Sequence, residues 1–177
     1  MSRENLEGLG RNSKPPIFLV GFMGAGKTTV GQALADRLGY CFFDLDRIIE
    51  ENVGKSVALI FSEQGEQEFR RLETEALERC RDLTGSIIAL GGGAYVLERN
   101  RAILRGIGRT IWLDCPLKVC FARISGDPAR PLLRSEREMS ELLEHRLPAY
   151  TQADYIVPSG ENDPGQVAEM IIEILGL

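Results

Sequence analysis

Residues Gly21 to Thr28 read GFMGAGKT and satisfy the pattern G-x-x-x-x-G-K-[ST] directly after the apolar run Ile17-Phe18-Leu19-Val20. A strand that ends in glycines and opens into a helix turns several backbone N–H groups toward one point, where the positive helix end favours an anion. Within the stretch Gly24, Ala25, Gly26, Lys27, Thr28 and Thr29, the two glycines let the backbone approach phosphate oxygens. Lys27 reaches the β- and γ-phosphates, and the Thr28 hydroxyl is suited to ligate Mg²⁺. The spacing therefore points to nucleotide phosphate and leaves the acceptor undefined.

Asp44 and Asp46 stand two apart in FFDLD, so on a continuing strand they share one face. One carboxylate could hold Mg²⁺ while the other takes a hydrogen bond or proton from a substrate hydroxyl. Asp46 also fits a second reading, as the N-cap of a helix over Arg47 to Asn52. Gly91, Gly92 and Gly93 permit close backbone approach of a ligand, and equally fit a bare turn. Arg70, Arg130 and Arg146 are candidate anion clamps, because a guanidinium fork binds carboxylate or phosphate oxygens in pairs. Arg70 lies four residues after Glu66, which also suits a surface ion pair. Arg130 sits in ARPLL, where an arginine on a closing loop would neutralise charge on a phosphoryl group in transfer. Arg123 fits either stacking on a base or a solvent-facing position. DLTG at Asp82 to Gly85 matches D-x-x-G but precedes a strand, and no N-K-x-D-like motif occurs, which argues against a switch GTPase.

Five apolar runs would position these residues: Ile17 to Gly21, Tyr40 to Asp44, Ser86 to Leu90, Arg109 to Asp114 and Asp154 to Pro158. Helical patterns separate them at Thr28 to Leu38, Gln64 to Arg81, Leu97 to Arg105, Leu117 to Ile124 and Ser135 to Ala149, with Gly39 as a C-cap. Asp163-Pro164 opens a last helix presenting Val167, Met170, Ile171, Ile174 and Leu175. Near-continuously apolar strands alternating with helices predict an α/β, three-layer fold around a parallel sheet covered on both faces. Ligands bind beyond the carboxyl ends of such strands, which brings Lys27, Asp44, Asp46 and the glycines to one rim. Gly126 to Met139, rich in Gly, Pro and Arg, reads as a mobile lid.

A chain of 177 residues is most simply one domain, here 17–177 preceded by a flexible tail over 1–16 without an apolar leader region. Hydrophobic content of 44% and charged content of 27%, with no run of eighteen apolar residues, indicate a soluble globular protein. A net charge of −5 argues against nucleic-acid binding through a basic surface. Cys41, Cys80, Cys115 and Cys120 lack metal-ligand spacing and read as free buried thiols in a reducing cytoplasm. With His145 the only histidine, acid–base chemistry falls to carboxylates.

From near Ile17 to the last helix the chain resembles the shikimate kinase family, through GFMGAGKTT, FFDLD, GEQEFRRLE, LGGGAYV, ARPLL and HRLPAY in matching order. The resemblance implies a P-loop NTPase of the nucleoside-monophosphate-kinase type, with a five-stranded parallel sheet of order 2-3-1-4-5. It implies ATP and shikimate as partners, Mg²⁺ as cofactor, a monomer, and transfer of the γ-phosphate to the 3-hydroxyl on the way to chorismate and the aromatic amino acids. By the same resemblance Thr28 and Asp44 hold the metal, and Asp46 binds hydroxyls and accepts the proton. Arg70 and Arg146 clamp the carboxylate, Gly91, Gly92 and Gly93 bind the substrate with Gly92 giving a backbone contact to the ring hydroxyls, Arg130 closes on the phosphates and Arg123 stacks on adenine. Three departures stand out. Leu147-Pro148-Ala149-Tyr150 replaces the usual N-P-L-Y, no Walker B aspartate ends the third strand, and Glu161 to Asp163 receives no contact. A gluconate-type kinase and a non-catalytic nucleotide-binding regulator are the alternatives.

Overall fold

The computed structural model describes residues 14–125 and 135–177. Five strands, β1 (Ile17–Val20), β2 (Cys41–Asp44), β3 (Ser86–Ala89), β4 (Arg109–Asp114) and β5 (Tyr155–Pro158), form one sheet. Its order is β2-β3-β1-β4-β5 and every pairing is parallel. The central strands β1 and β3 are buried along their whole length, as expected of strands covered on both faces. Register follows Phe18 opposite Ile88 on one side and Thr110 on the other.

Seven α-helices accompany the strands among the described residues, the first six between strands and the last after β5: α1 (Lys27–Leu38), α2 (Leu45–Val53), α3 (Val57–Arg79), α4 (Glu98–Arg105), α5 (Leu117–Ile124), α6 (Glu136–Tyr150) and α7 (Pro164–Leu175). The β1-to-β2 connection crosses the sheet in the opposite sense to the later ones, so right-handed crossovers put α1 on the other face from α3 and α4. α1 accordingly packs on β3 and against α7, while α3 packs against α4. The core joins Phe18, Leu34, Ile88, Leu104 and Ile171, all fully buried. Gly39 caps α1 with φ 65°, and Asp163 with Gln166 forms a capping box at α7 with Pro164 in its first turn.

One local expectation is corrected and one is extended. Asp44 and Asp46 do not continue one strand: β2 ends at Asp44, whose side chain accepts a bond from the Asp46 amide and caps α2, so Asp46 lies inside the first turn instead of capping it. The helix expected over Gln64 to Arg81 corresponds to the second part of α3: Gly65, at φ 81° and ψ 171°, separates it from a first part that starts at Val57 under a Ser56 cap. The break interrupts the helical period, so the residues from Val57 to Gln64 do not join the pattern that follows. Of the expected tail, 1–13 lies outside the described residues; the Lys14 and Pro16 carbonyls accept from the Gly85 and Arg109 amides. Residues 126–134, with Arg130 and most of the expected lid, also lie outside them, and Ser135 to Met139 form the capped first turn of α6. Three cysteines are buried free thiols as expected, whereas Cys41 at the sheet edge is exposed.

Candidate active site

The loop after β1 is shaped by glycines that no other residue could replace cheaply. Gly24 (φ 77°) and Gly26 (φ 93°) adopt left-handed conformations, and a Cβ on Gly24 would stand 2.7 Å from the Cys120 carbonyl oxygen. Gly26 caps α1 without any side-chain bond, which leaves the first-turn amides of that helix for an anion. Ala25 is buried and its carbonyl accepts from the Ser159 hydroxyl at 3.3 Å, which ties the loop to the end of β5. The Lys27 ammonium donates to the Gly21 and Phe22 carbonyls at 2.9 Å each, so its charge is held over the loop on a flexible stem. Thr29 turns its hydroxyl back onto the Gly26 carbonyl at 3.0 Å, while Thr28 is exposed at the cleft.

A cleft of about 830 Å³ runs from this loop to the far side of the rim. It is lined by Lys27, Thr28, Asp44, Asp46, Arg70 and Arg146 together with all three glycines after β3. Each of those glycines underlies one charged group. A Cβ on Gly91 would meet Asp46 Oδ1 at 2.8 Å, on Gly92 the Arg146 guanidinium at 2.9 Å, and on Gly93 that of Arg70 at 2.6 Å. The triple glycine is therefore a floor that lets a carboxylate and two guanidiniums converge, more than a simple turn. Arg70 extends from α3 and bonds both Glu66 (3.1 Å) and Glu73 (3.0 Å), so the expected surface pair is one half of a larger network. Arg146 lies 5.7 Å from the Phe22 ring centroid, within cation–π range. Arg123 is exposed and donates to the Gly24 carbonyl at 3.0 Å and the Gly160 carbonyl at 3.2 Å, and it lines the cleft, as does Pro164.

Burial is the main cause that raises the Asp46 carboxyl above its ordinary 3.8, with Asp44 adding to it and Lys27 opposing. Asp46 Oδ1 is buried with no hydrogen-bond partner among the described residues. An unsatisfied buried acceptor at the cleft wall is a place for a ligand hydroxyl. Glu73 was not singled out in sequence, yet it is fully buried. Burial pushes its carboxyl from 4.5 to about 7, against the pull of Arg70. A raised acid binds its proton more tightly when folded, so stability is greatest below the unfolded value and is lost as pH climbs through the folded one. Glu73→Gln is therefore expected to gain on the wild type by roughly 2–3 kcal/mol between about pH 5 and about pH 8, measured by denaturant unfolding. A gap independent of pH would remove Glu73 as the titrating group.

Sequence reading also passed over Tyr150, whose hydroxyl donates to the Gly92 carbonyl at 2.6 Å, and the apolar wall of Val57, Phe61 and Phe69. The departure at Leu147-Pro148-Ala149 does not disturb Arg146, because Leu147 points outward and Tyr150 stays fully buried. Geometrically the cleft has a phosphate end, an arginine-flanked end and a buried carboxylate between them. That arrangement suits transfer of a phosphoryl group to a hydroxyl on a small anion.

Comparison with known proteins agrees in length as well as in motif. Residues 23–176 match the family model described as shikimate kinase. A shikimate kinase of Persephonella marina is 43% identical over 161 residues, which cover 90% of this chain and 96% of that protein. One from Geobacter sulfurreducens is 46% identical over 148 residues, covering 82% and 80%. The solved structure of shikimate kinase from Acinetobacter baumannii in complex with shikimate superposes with a TM-score of 0.87 at 36% identity, over 92% of this chain and 93% of that one.

Proposed function

The chain belongs to the shikimate kinase family, and from that premise we propose that it transfers the γ-phosphoryl group of ATP to the 3-hydroxyl of shikimate, giving shikimate 3-phosphate and ADP. One observation carries the choice of acceptor. Arg70 and Arg146 converge over Gly93 and Gly92 beside the unsatisfied Asp46 oxygen, which matches one carboxylate and a ring of hydroxyls. Lys27 and the loop amides bind the β- and γ-phosphates, and Arg123 with Pro164 takes the adenine. Asp46 orients the 3-hydroxyl and accepts its proton as the O–P bond forms and the bond from the γ-phosphorus to the β,γ-bridging oxygen breaks, with ADP leaving. Its raised basicity favours that acceptance.

Mg²⁺ fits the donors present. Thr28 and Asp44 both line the cleft and offer hard oxygens, and this ion keeps most of its shell as water and phosphate. Bound there, it would neutralise charge on the phosphates. Arg130 belongs to the reading as the cation that closes over the transferred group, carried by the ARPLL resemblance.

The test is ADP release with shikimate, gluconate or no acceptor. Stimulation by shikimate alone is expected; stimulation by gluconate and not by shikimate would overturn the assignment. Arg146→Ala is expected to weaken shikimate binding by about 1.5–3 kcal/mol, the range of a charged hydrogen bond, and to leave ATP binding alone. Equal losses for both substrates in calorimetric titrations would contradict its role.

A further inference from the structure

We propose that Tyr150 is a positioning residue for the acceptor: its hydroxyl locks the Gly92 peptide, and with it the Gly93 amide and the Arg146 guanidinium, into the geometry that receives the carboxylated ring. The inference rests on the shikimate reading above and adds a residue to it. Tyr150 is the last residue of α6 and fully buried, four positions after Arg146, so the two share one face of the helix. The hydroxyl donates to the Gly92 carbonyl at 2.6 Å, a short bond to the middle residue of the glycine floor. A peptide unit is planar and trans, so fixing the Gly92 carbonyl turns the following Gly93 N–H to the opposite side. The N–H groups of Gly91, Gly92 and Gly93 donate to no acceptor among the described residues, and all three residues line the cleft.

Three glycines in a row have little conformational preference of their own. Something outside the segment must select one arrangement. The carbonyls of Gly91 and Gly93 are fixed by the Ala94 and Val96 amides at 3.0 and 3.1 Å, and the Gly92 carbonyl by Tyr150. The tyrosine ring is itself held: it stacks on Trp112 at 6.0 Å, and Trp112 Cδ1 lies 3.6 Å from where a Gly21 Cβ would stand. Tyr150 thus links the acceptor floor to the base of the phosphate loop. Burial pushes its hydroxyl above the usual 10, so it stays a donor across the working pH range. The Arg146 guanidinium lies beside the same hydroxyl.

Tyr150→Phe keeps the ring and removes only the donor. Initial rates with each substrate varied are expected to show the shikimate KM raised about five- to twentyfold and the ATP KM within about twofold. An unchanged shikimate KM, or equal rises for both substrates, would overturn the proposal. A wild type that turns over no shikimate would instead remove the functional reading and this inference together. Should the variant not accumulate, ¹⁵N-labelled wild type supplies the answer. Shikimate, and not ATP, is expected to move the Gly92 and Gly93 amide resonances, and their indifference to shikimate would equally overturn it.

Discussion

Asp46→Asn is expected to lower kcat about 10²- to 10⁴-fold while leaving the ATP KM nearly unchanged. The substitution keeps shape and hydrogen-bonding capacity but removes the only feature that proton acceptance requires. Asp46 is placed by α2, whose first turn is fixed by the Asp44 cap at 3.0 Å, and it is pressed against Gly91. Burial and the Asp44 charge raise its carboxyl above 3.8, more than Lys27 can lower it. Activity that needs the ionised form falls as pH drops through that raised value. The wild-type acid limb is therefore expected above the ordinary aspartate range, and the variant's residual rate is expected to lack it. Near-normal turnover in Asp46→Asn would remove the base assignment.

Lys27→Ala is expected to reduce kcat/KM for ATP by about 10²- to 10³-fold, on the scale of losing one preorganised charge from a phosphoryl-transfer site. The ammonium holds two loop carbonyls at 2.9 Å, both next to the strand end, and its four-carbon stem allows it to follow phosphate oxygens. Arginine is expected to substitute poorly, because a planar fork does not reproduce a point charge between two carbonyls. Adenosine binding separates the roles. With adenine assigned to Arg123 and Pro164 in the proposed function, it is expected to survive the change, whereas parallel loss of adenosine and ATP binding would mean that the loop had collapsed.

The parallel sheet could be read from the sequence because β1, β3 and β4 carry unbroken apolar runs and their connections carry strong stop signals. Gly39 and Asp163-Pro164 marked helix ends through chemistry that is local to a few residues. The phosphate loop was readable for the same reason, since its glycines answer to the backbone geometry of one short segment. Asp44 and Asp46 could not be ordered locally: either can cap a helix, and only the end of β2 decides that Asp44 does. Gly65 splits α3 with an extended ψ, so the walls formed by Phe61 and Phe69 looked like unrelated segments. Glu73 and Tyr150 were hidden for a different reason. Each fits an ordinary helix position, and their significance comes from Arg70, Asp46 and Gly92, brought to them by tertiary packing.

The central claim is that the cleft delivers the γ-phosphoryl group to one hydroxyl of shikimate held by Arg70, Arg146 and Asp46. It is tested most directly by incubating the protein with ATP, Mg²⁺ and shikimate and locating the phosphate by ³¹P–¹H correlation spectroscopy. A single product with phosphorus coupled to the proton on C3 is the predicted result. Phosphate on another ring oxygen, or ADP formed with free phosphate and no phosphorylated ring, would contradict it.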